Sequence, residues 1–181
     1  MNNDEPFLLT ERLALWKPRA SDRAELFAMV APPEVRRFLG DRPTSEADEF
    51  ARLIRNAGSW ALYGYGTFIC RDRADGRLVA LCGLFHSWRG FGKGLDDAIE
   101  AGWIVAQEEW GKGIAGEAMR AAIDWFDATI GPRRIACMIE EGNDASLALA
   151  ARLGFVRYAV EDIGGERPLI LLERLPEGAA S

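Results

Sequence analysis

The stretch Trp110-Gly111-Lys112-Gly113-Ile114-Ala115-Gly116 limits what this chain can fold into more than any other. An apolar strand, Ala101-Gly102-Trp103-Ile104-Val105, precedes it, and an apolar helix from Ile114 to about Ala128 follows. Glycines between a strand and a helix leave bare N–H groups at the positive end of a helix dipole. With no Cβ, they also let the backbone approach a ligand closely. The turn therefore reads as a phosphate cradle and implies a phosphorylated partner. A tight connection with no ligand is the plainer reading of the same residues.

Gly111, Gly113 and Gly116 also spell G-x-G-x-x-G, which keeps a nucleotide-dependent oxidoreductase open as a rival. A dinucleotide site, however, places its glycines directly after the first strand, with alternating strands and helices to follow. Here Gln107-Glu108-Glu109-Trp110 intervenes and only about seventy residues remain. A P-loop is excluded, because Lys112 lies between the glycines and no Ser or Thr follows it.

The chain of 181 residues suits one domain, with an ordered core over about 9–175 and a frayed tail over 176–181. No apolar run approaches the ~20 residues of a membrane-spanning helix. The polar start Met1-Asn2-Asn3-Asp4-Glu5 is unlike a signal peptide. Cys70, Cys82 and Cys137 each sit in an apolar run without a C-x-x-C pair, so they read as buried thiols in a cytoplasmic protein. His86 is the single histidine, which leaves a metal site or a Ser-His-Asp triad little to draw on. The net charge of −6 argues against nucleic acid as partner and is compatible with a cationic amine.

Leu13-Ala14-Leu15-Trp16 reads as a first strand. Ser21 can cap a helix over Asp22 to Val30, which Pro32-Pro33 stops, and Pro33 can start a short turn through Phe38. Ser45 caps a helix over Glu46 to Ala57, closed by Gly58. Phe68–Arg71 and Arg77–Phe85 form a hairpin around Arg73-Ala74-Asp75-Gly76, and Arg89–Gly94 reads as a mobile loop. Glu100–Val105 is the next strand. Helix residues Glu117, Arg120, Asp124 and Asp127 form one narrow polar stripe, so protein covers the rest of that helix. Ile135–Ile139 follows as a strand, which predicts a right-handed parallel crossover. Asn143 caps a helix over Asp144 to Leu153, ended by Gly154, and a hairpin of Val156–Ile163 and Leu169–Leu172 closes the chain around Gly164-Gly165. The fold class is α+β, with a mixed, mostly antiparallel central sheet and flanking helices.

This order resembles the GCN5-related N-acetyltransferase superfamily over nearly the whole chain. Gly113 and Ala115 match the last two marked positions of its loop, Arg/Gln-x-x-Gly-x-Gly/Ala, while Trp110 departs at the first. A Trp-Gly-x-Gly turn resembles the branch of ribosomal-protein alanine N-acetyltransferases. So do Leu9-Thr10-Glu11-Arg12-Leu13, Pro33-Glu34-Val35 and Phe38-Leu39-Gly40, while Asn143-Asp144-Ala145-Ser146 followed by Arg152-Leu153-Gly154-Phe155 resembles the closing Asn-x-x-Ser…Lys-x-Gly-Phe motif, with Arg152 in the Lys place.

The resemblance implies acetyl-CoA as cosubstrate and no metal. Amides of Gly111, Lys112, Gly113, Ile114, Ala115 and Gly116 would bind its pyrophosphate beside Trp110, with Lys112 adding charge. Pantetheine would lie in a splayed gap between Trp103-Ile104-Val105 and Ile135–Ile139, contacting Asn143. A backbone N–H near Ile104 or Val105 would hold the oxyanion. Glu100 is the candidate base, with Asp97, Glu140 and Glu141 weaker. The superfamily's proton-donating Tyr would fall on Ala150 and is absent, so Ser146 is the candidate near the sulfur, with Tyr158 a remote second. Loop aromatics Trp60, Tyr63, Tyr65, Trp88 and Phe91 could wall the acceptor pocket, while Trp16, Trp103 and Trp125 read as packing. The acceptor would be a small-molecule or peptide amine, in a monomer or homodimer. A non-catalytic acyl-CoA sensor on the same scaffold is the alternative.

Overall fold

The computed structural model describes residues 5–39, 45–162, 164 and 167–176. Eight strands form one sheet in the order β1-β2-β3-β4-β5-β6-β8-β7. They are β1 (Leu8–Leu9), β2 (Leu13–Trp16), β3 (Thr67–Asp72), β4 (Leu78–Trp88), β5 (Asp96–Val105), β6 (Ile135–Glu140), β7 (Val156–Glu161) and β8 (Leu169–Arg174). Every neighbouring pair is antiparallel except β5 and β6, which are parallel. The mixed α+β class read from the sequence is the one observed. The last strand inserts between β6 and β7, so the closing hairpin places its first strand at the sheet edge.

The helix α4 (Ile114–Thr129) sets the core. Ile114, Ala118, Met119, Ala122, Ile123 and Phe126 recur at helical spacing and are all buried. They pack with Ala80, Cys82, Leu84, Ala101, Ile135 and Cys137 of the central strands. Each fully buried large side chain here contributes roughly 1.5–3 kcal/mol. Helix α5 (Asp144–Arg152) joins the same face through Leu149 and Ala150. On the other face, α1 (Arg23–Val30) and α3 (Glu46–Tyr63) bury Leu26, Met29, Val30 and Leu53 against Ile69, Leu78 and Leu81. The short α2 (Pro33–Arg36) starts on its proline, as expected of a residue that lacks an N–H.

Three local expectations need correction. Helix α3 does not stop at Gly58; it runs on to Gly64, where φ of 78° turns the chain left-handed. A glycine inside a helix lowers its propensity without breaking it, whereas the left-handed residue ends it. Ser21 is not a cap: a 3-10 turn, Ala20–Asp22, precedes α1, and Asp22 Oδ2 accepts the Arg19 amide at 2.7 Å. The Arg89–Gly94 loop is tied down rather than free. Asp96 accepts the amides of Gly90 and Gly92 at 2.5 and 2.8 Å, Tyr158 donates to the Lys93 carbonyl at 2.7 Å, and Arg134 donates to that of Gly94 at 2.7 Å. The expected tail at 177–181 and the positions Met1–Asp4, Gly40, Ile163 and Gly165 lie outside the described residues.

Phe126 is fully buried and meets the Tyr65 ring edge-on at 5.2 Å. Phe126→Ala should therefore cost about 3–5 kcal/mol in urea unfolding. A loss below 1 kcal/mol would show that α4 does not anchor the core.

Candidate active site

The parallel pair β5 and β6 meets at one register position, Glu100 opposite Ala136. On its other side β5 is zipped to β4 throughout, with Val105 opposite Ala80. The Ala106 amide donates to the Val79 carbonyl at 2.9 Å. Antiparallel alternation then points the N–H and C=O of Ile104, Gly102 and Glu100 into β4. The same groups of Trp103 and Val105 face the side where β6 has parted. The sheet thus carries a wedge-shaped gap, lined on one side by the Trp103 backbone and the Val105 amide, which have no partner among the described residues. The amide of Ile104 is spent in the ladder, and its side chain packs on the α1 face.

The glycine turn closes the open end of this gap. Trp110 Nε1 donates to the Val105 carbonyl at 3.0 Å, tying the turn to the strand end. Gly111 and Gly113 have φ of 75° and 79°, a left-handed backbone that other residues adopt only under strain. Among the described residues, the amides of Gly111, Gly113, Ile114, Ala115 and Gly116 have no acceptor. A Cβ at Gly116 would touch Leu149 at 3.5 Å, which lets α4 approach α5 closely. The Lys112 ammonium turns back to Glu109 at 3.2 Å.

A latch from the first hairpin supports the turn. Arg12 Nη1 donates to the Lys112 carbonyl at 2.8 Å, and its Nε donates to Glu117 Oε2 at 2.6 Å. Glu117 Oε1 accepts the Arg12 amide at 2.8 Å and the Thr10 hydroxyl at 2.6 Å. Burial alone would raise the Glu117 carboxyl; the bonds from Thr10 and Arg12 outweigh it and hold the group below its ordinary value.

Across the gap, α5 contributes its first turn. Asn143 Oδ1 accepts the Ser146 amide at 3.2 Å, which is the expected cap. Ser146 Oγ accepts Trp103 Nε1 at 3.1 Å, leaving its own O–H free to donate. Ala150, where the absent tyrosine would fall, is fully buried.

Glu100 sits at the rung where the strands part and is 3% exposed. Arg89 grips it with both prongs: Nε donates to Oε2 at 2.8 Å and Nη2 donates to Oε1. Nearby, burial and then the Glu100 charge push the Cys137 thiol above its ordinary value, so it stays protonated and inert. Of the weaker acids, Glu140 pairs with Arg167 at 3.2 Å and Asp97 binds His86. Tyr158 is committed to the Lys93 carbonyl.

One cluster went unread in the sequence. His86 Nδ1 lies 2.9 Å from the Tyr65 hydroxyl and Nε2 lies 2.9 Å from Asp97 Oδ1. Burial pushes the Tyr65 phenol up to about 12, so it stays a donor to Nδ1, and Nε2–H donates to Asp97. The Tyr63 ring stacks on the imidazole at 3.8 Å. Asp97 holds φ of 52°, which the sequence does not announce. His86 pairs with Ile99 in the ladder, so it lies on the opposite face from Glu100. Trp60 and Trp125 pack together at 5.5 Å, as core residues do, and Trp88 is exposed. Among the described residues no group of three His, Cys, Asp or Glu is placed to hold a metal, and no helix is long and apolar enough to cross a membrane.

Comparison with known proteins gives a consistent result. The model of the Acetyltransferase (GNAT) domain family matches residues 12–156. A solved structure described as a GnaT-family acetyltransferase of Bordetella pertussis is 35% identical, superposes with a TM-score of 0.83, and covers 92% of this chain and 98% of its own. The ribosomal-protein-S5-alanine acetyltransferase of Vibrio fischeri shares the fold at 18% identity, with a TM-score of 0.75 over 94% of this chain and 97% of its own. An uncharacterised N-acetyltransferase, p20, of Bacillus licheniformis is 26% identical over 82% of this chain and 81% of its own.

The depressed Glu117 carboxyl stabilises the folded state fully above its ordinary value of 4.5, and that stability is lost as pH falls through the lower folded value. Glu117→Gln should flatten the acid side of a stability–pH curve below pH 4.5, read by melting temperature. An unchanged acid limb would mean that the latch carries no charge-dependent stability.

Proposed function

Because the chain belongs to the GNAT acetyltransferase family, and is as such an acetyl-CoA-dependent acetyltransferase, we propose that it acetylates a primary amine by direct attack in a ternary complex. The acceptor is a protein N-terminus or a small-molecule amine, and the chain works as one domain in the cytoplasm. One observation carries this reading: a strand edge at which the Trp103 backbone and the Val105 amide have no partner among the described residues opens beside a row of acceptor-less amides at the start of α4. Such amides suit a diphosphate, and an open edge suits the amide-bearing pantetheine arm.

In this mechanism Trp110 fixes the turn, and the amides of Gly111, Gly113, Ile114, Ala115 and Gly116 take the pyrophosphate, the Lys112 amide being given to the Glu109 carbonyl. An N–H on the open edge of β5 stabilises the oxyanion, an interaction typically worth ~3 kcal/mol of barrier. Ladder alternation favours Val105 or Trp103 over Ile104 for that donor. Glu100 accepts the proton of the incoming ammonium, and its nitrogen attacks the thioester carbon. The carbon–sulfur bond breaks, and Ser146 donates its free O–H to the departing sulfur while taking up the second proton of the attacking nitrogen, with Trp103 holding the hydroxyl in place. A second reading, a sensor that binds acyl-CoA without turning it over, draws support from Ala150 and from the occupied carboxylate of Glu100.

Coenzyme A at a hundred times its Kd should stabilise the fold by about 2.7 kcal/mol, visible as a raised melting temperature that NAD does not reproduce. Thiol release with a panel of amines then separates enzyme from sensor. Glu100→Gln should lower kcat/KM by roughly a hundredfold or more while leaving the coenzyme A shift intact. Full activity in that variant at every pH would remove Glu100 from the role of base.

A further inference from the structure

The ion pair between Glu100 and Arg89 poses a problem for any amine that needs the carboxylate. Both oxygens are held by the guanidinium, and the carboxylate is almost wholly removed from water. An ammonium group that displaced Arg89 would satisfy Glu100 and leave the guanidinium without a counter-charge, and breaking one partner from a buried pair is strongly unfavourable. A polyamine or an amino-acid amide brings only positive charge to this exchange. A zwitterion brings both signs: its ammonium replaces the guanidinium at Glu100, its carboxylate takes the guanidinium, and every charge keeps a partner.

Arg89 has the geometry for such a swap. Its side chain is 33% exposed, so it can be reached from solvent. Its Nη1 has no hydrogen bond among the described residues, which leaves an N–H edge for an incoming carboxylate beside the one given to Glu100. The guanidinium lies 5.9 Å from the centre of the Phe85 ring, a surface along which it can slide without losing contact. A planar fork matched to carboxylate distinguishes Arg from Lys at such a position.

Building on the acetyl-transfer reading, we propose that Arg89 is a specificity-determining residue that binds a carboxylate on the acceptor, and that the acceptors are small amines carrying a carboxylate beside the amine. The swap delivers the ammonium to Glu100, which takes one proton. The nitrogen forms its bond to the thioester carbon as the carbon–sulfur bond breaks, and the second proton reaches the thiolate through Ser146 or water. Release of the N-acetyl product lets Arg89 return, and Glu100 loses its proton to solvent.

The test measures kcat/KM by thiol release for the common L-amino acids, their α-amides, polyamines and short peptides. The acids should exceed their own amides on the order of a hundredfold, since a site built for a polar group rejects the analogue that lacks it. Arg89→Met should erase that preference while coenzyme A still raises the melting temperature, and Arg89→Lys should restore only part of it. Amides or polyamines that match the acids in the unmodified protein overturn the exchange and leave acetyl transfer standing. If coenzyme A binds yet no amine of any class is acetylated, the acetyl-transfer reading fails and the exchange fails with it. The acid–amide comparison needs no variant, so a poorly folded Arg89→Met protein does not shield the proposal.

Discussion

The burial of one side of α4 against β4 and β5 fixes where everything else in the site can fall. Ala118, Met119 and Phe126 are fully covered, so the helix has one rotational setting on the sheet. That setting puts its first turn at the end of β5, where Trp110 ties it to Val105, and directs its last turn towards the start of β6. With both ends specified, β6 can run parallel to β5 but can meet it only briefly. The open strand edge is thus a by-product of a packed core, and the acceptor-less amides of the glycine turn inherit their positions from it.

Much of this was legible in the sequence, because periodicity and glycine placement are local signals. The strand before Trp110, the polar stripe of Glu117, Arg120, Asp124 and Asp127, and the cap at Asn143 each declare themselves within a few residues. Gly58 and Gly64 show the limit of that approach. Both are glycines near the end of one helical pattern, and only the second takes the left-handed backbone that ends it.

The partners inside the site were not legible, because they depend on register. Arg89 and Glu100 are brought together across the turn between β4 and β5, past a bulge at Ser87 and Trp88 that shifts the register of the pairing. No sequence spacing predicts that a loop arginine will cover a strand acid. The same is true of His86, whose neighbours come from the end of α3 and from the start of β5. Trp110 is a milder case. The sequence marked it as a departure from a motif, while its indole N–H supplies the link between turn and strand that makes the departure workable.

The lone rung at Glu100 and Ala136 also acts as a fulcrum. From there to Val105 the strand extends about 16 Å, at roughly 3.3 Å per residue. Any rocking of β6 against β5 therefore has its smallest amplitude beside Glu100 and its largest beside the glycine turn. Breathing of the sheet thus widens the gap beside the glycine turn, while the surroundings of Glu100 at the narrow end stay nearly still.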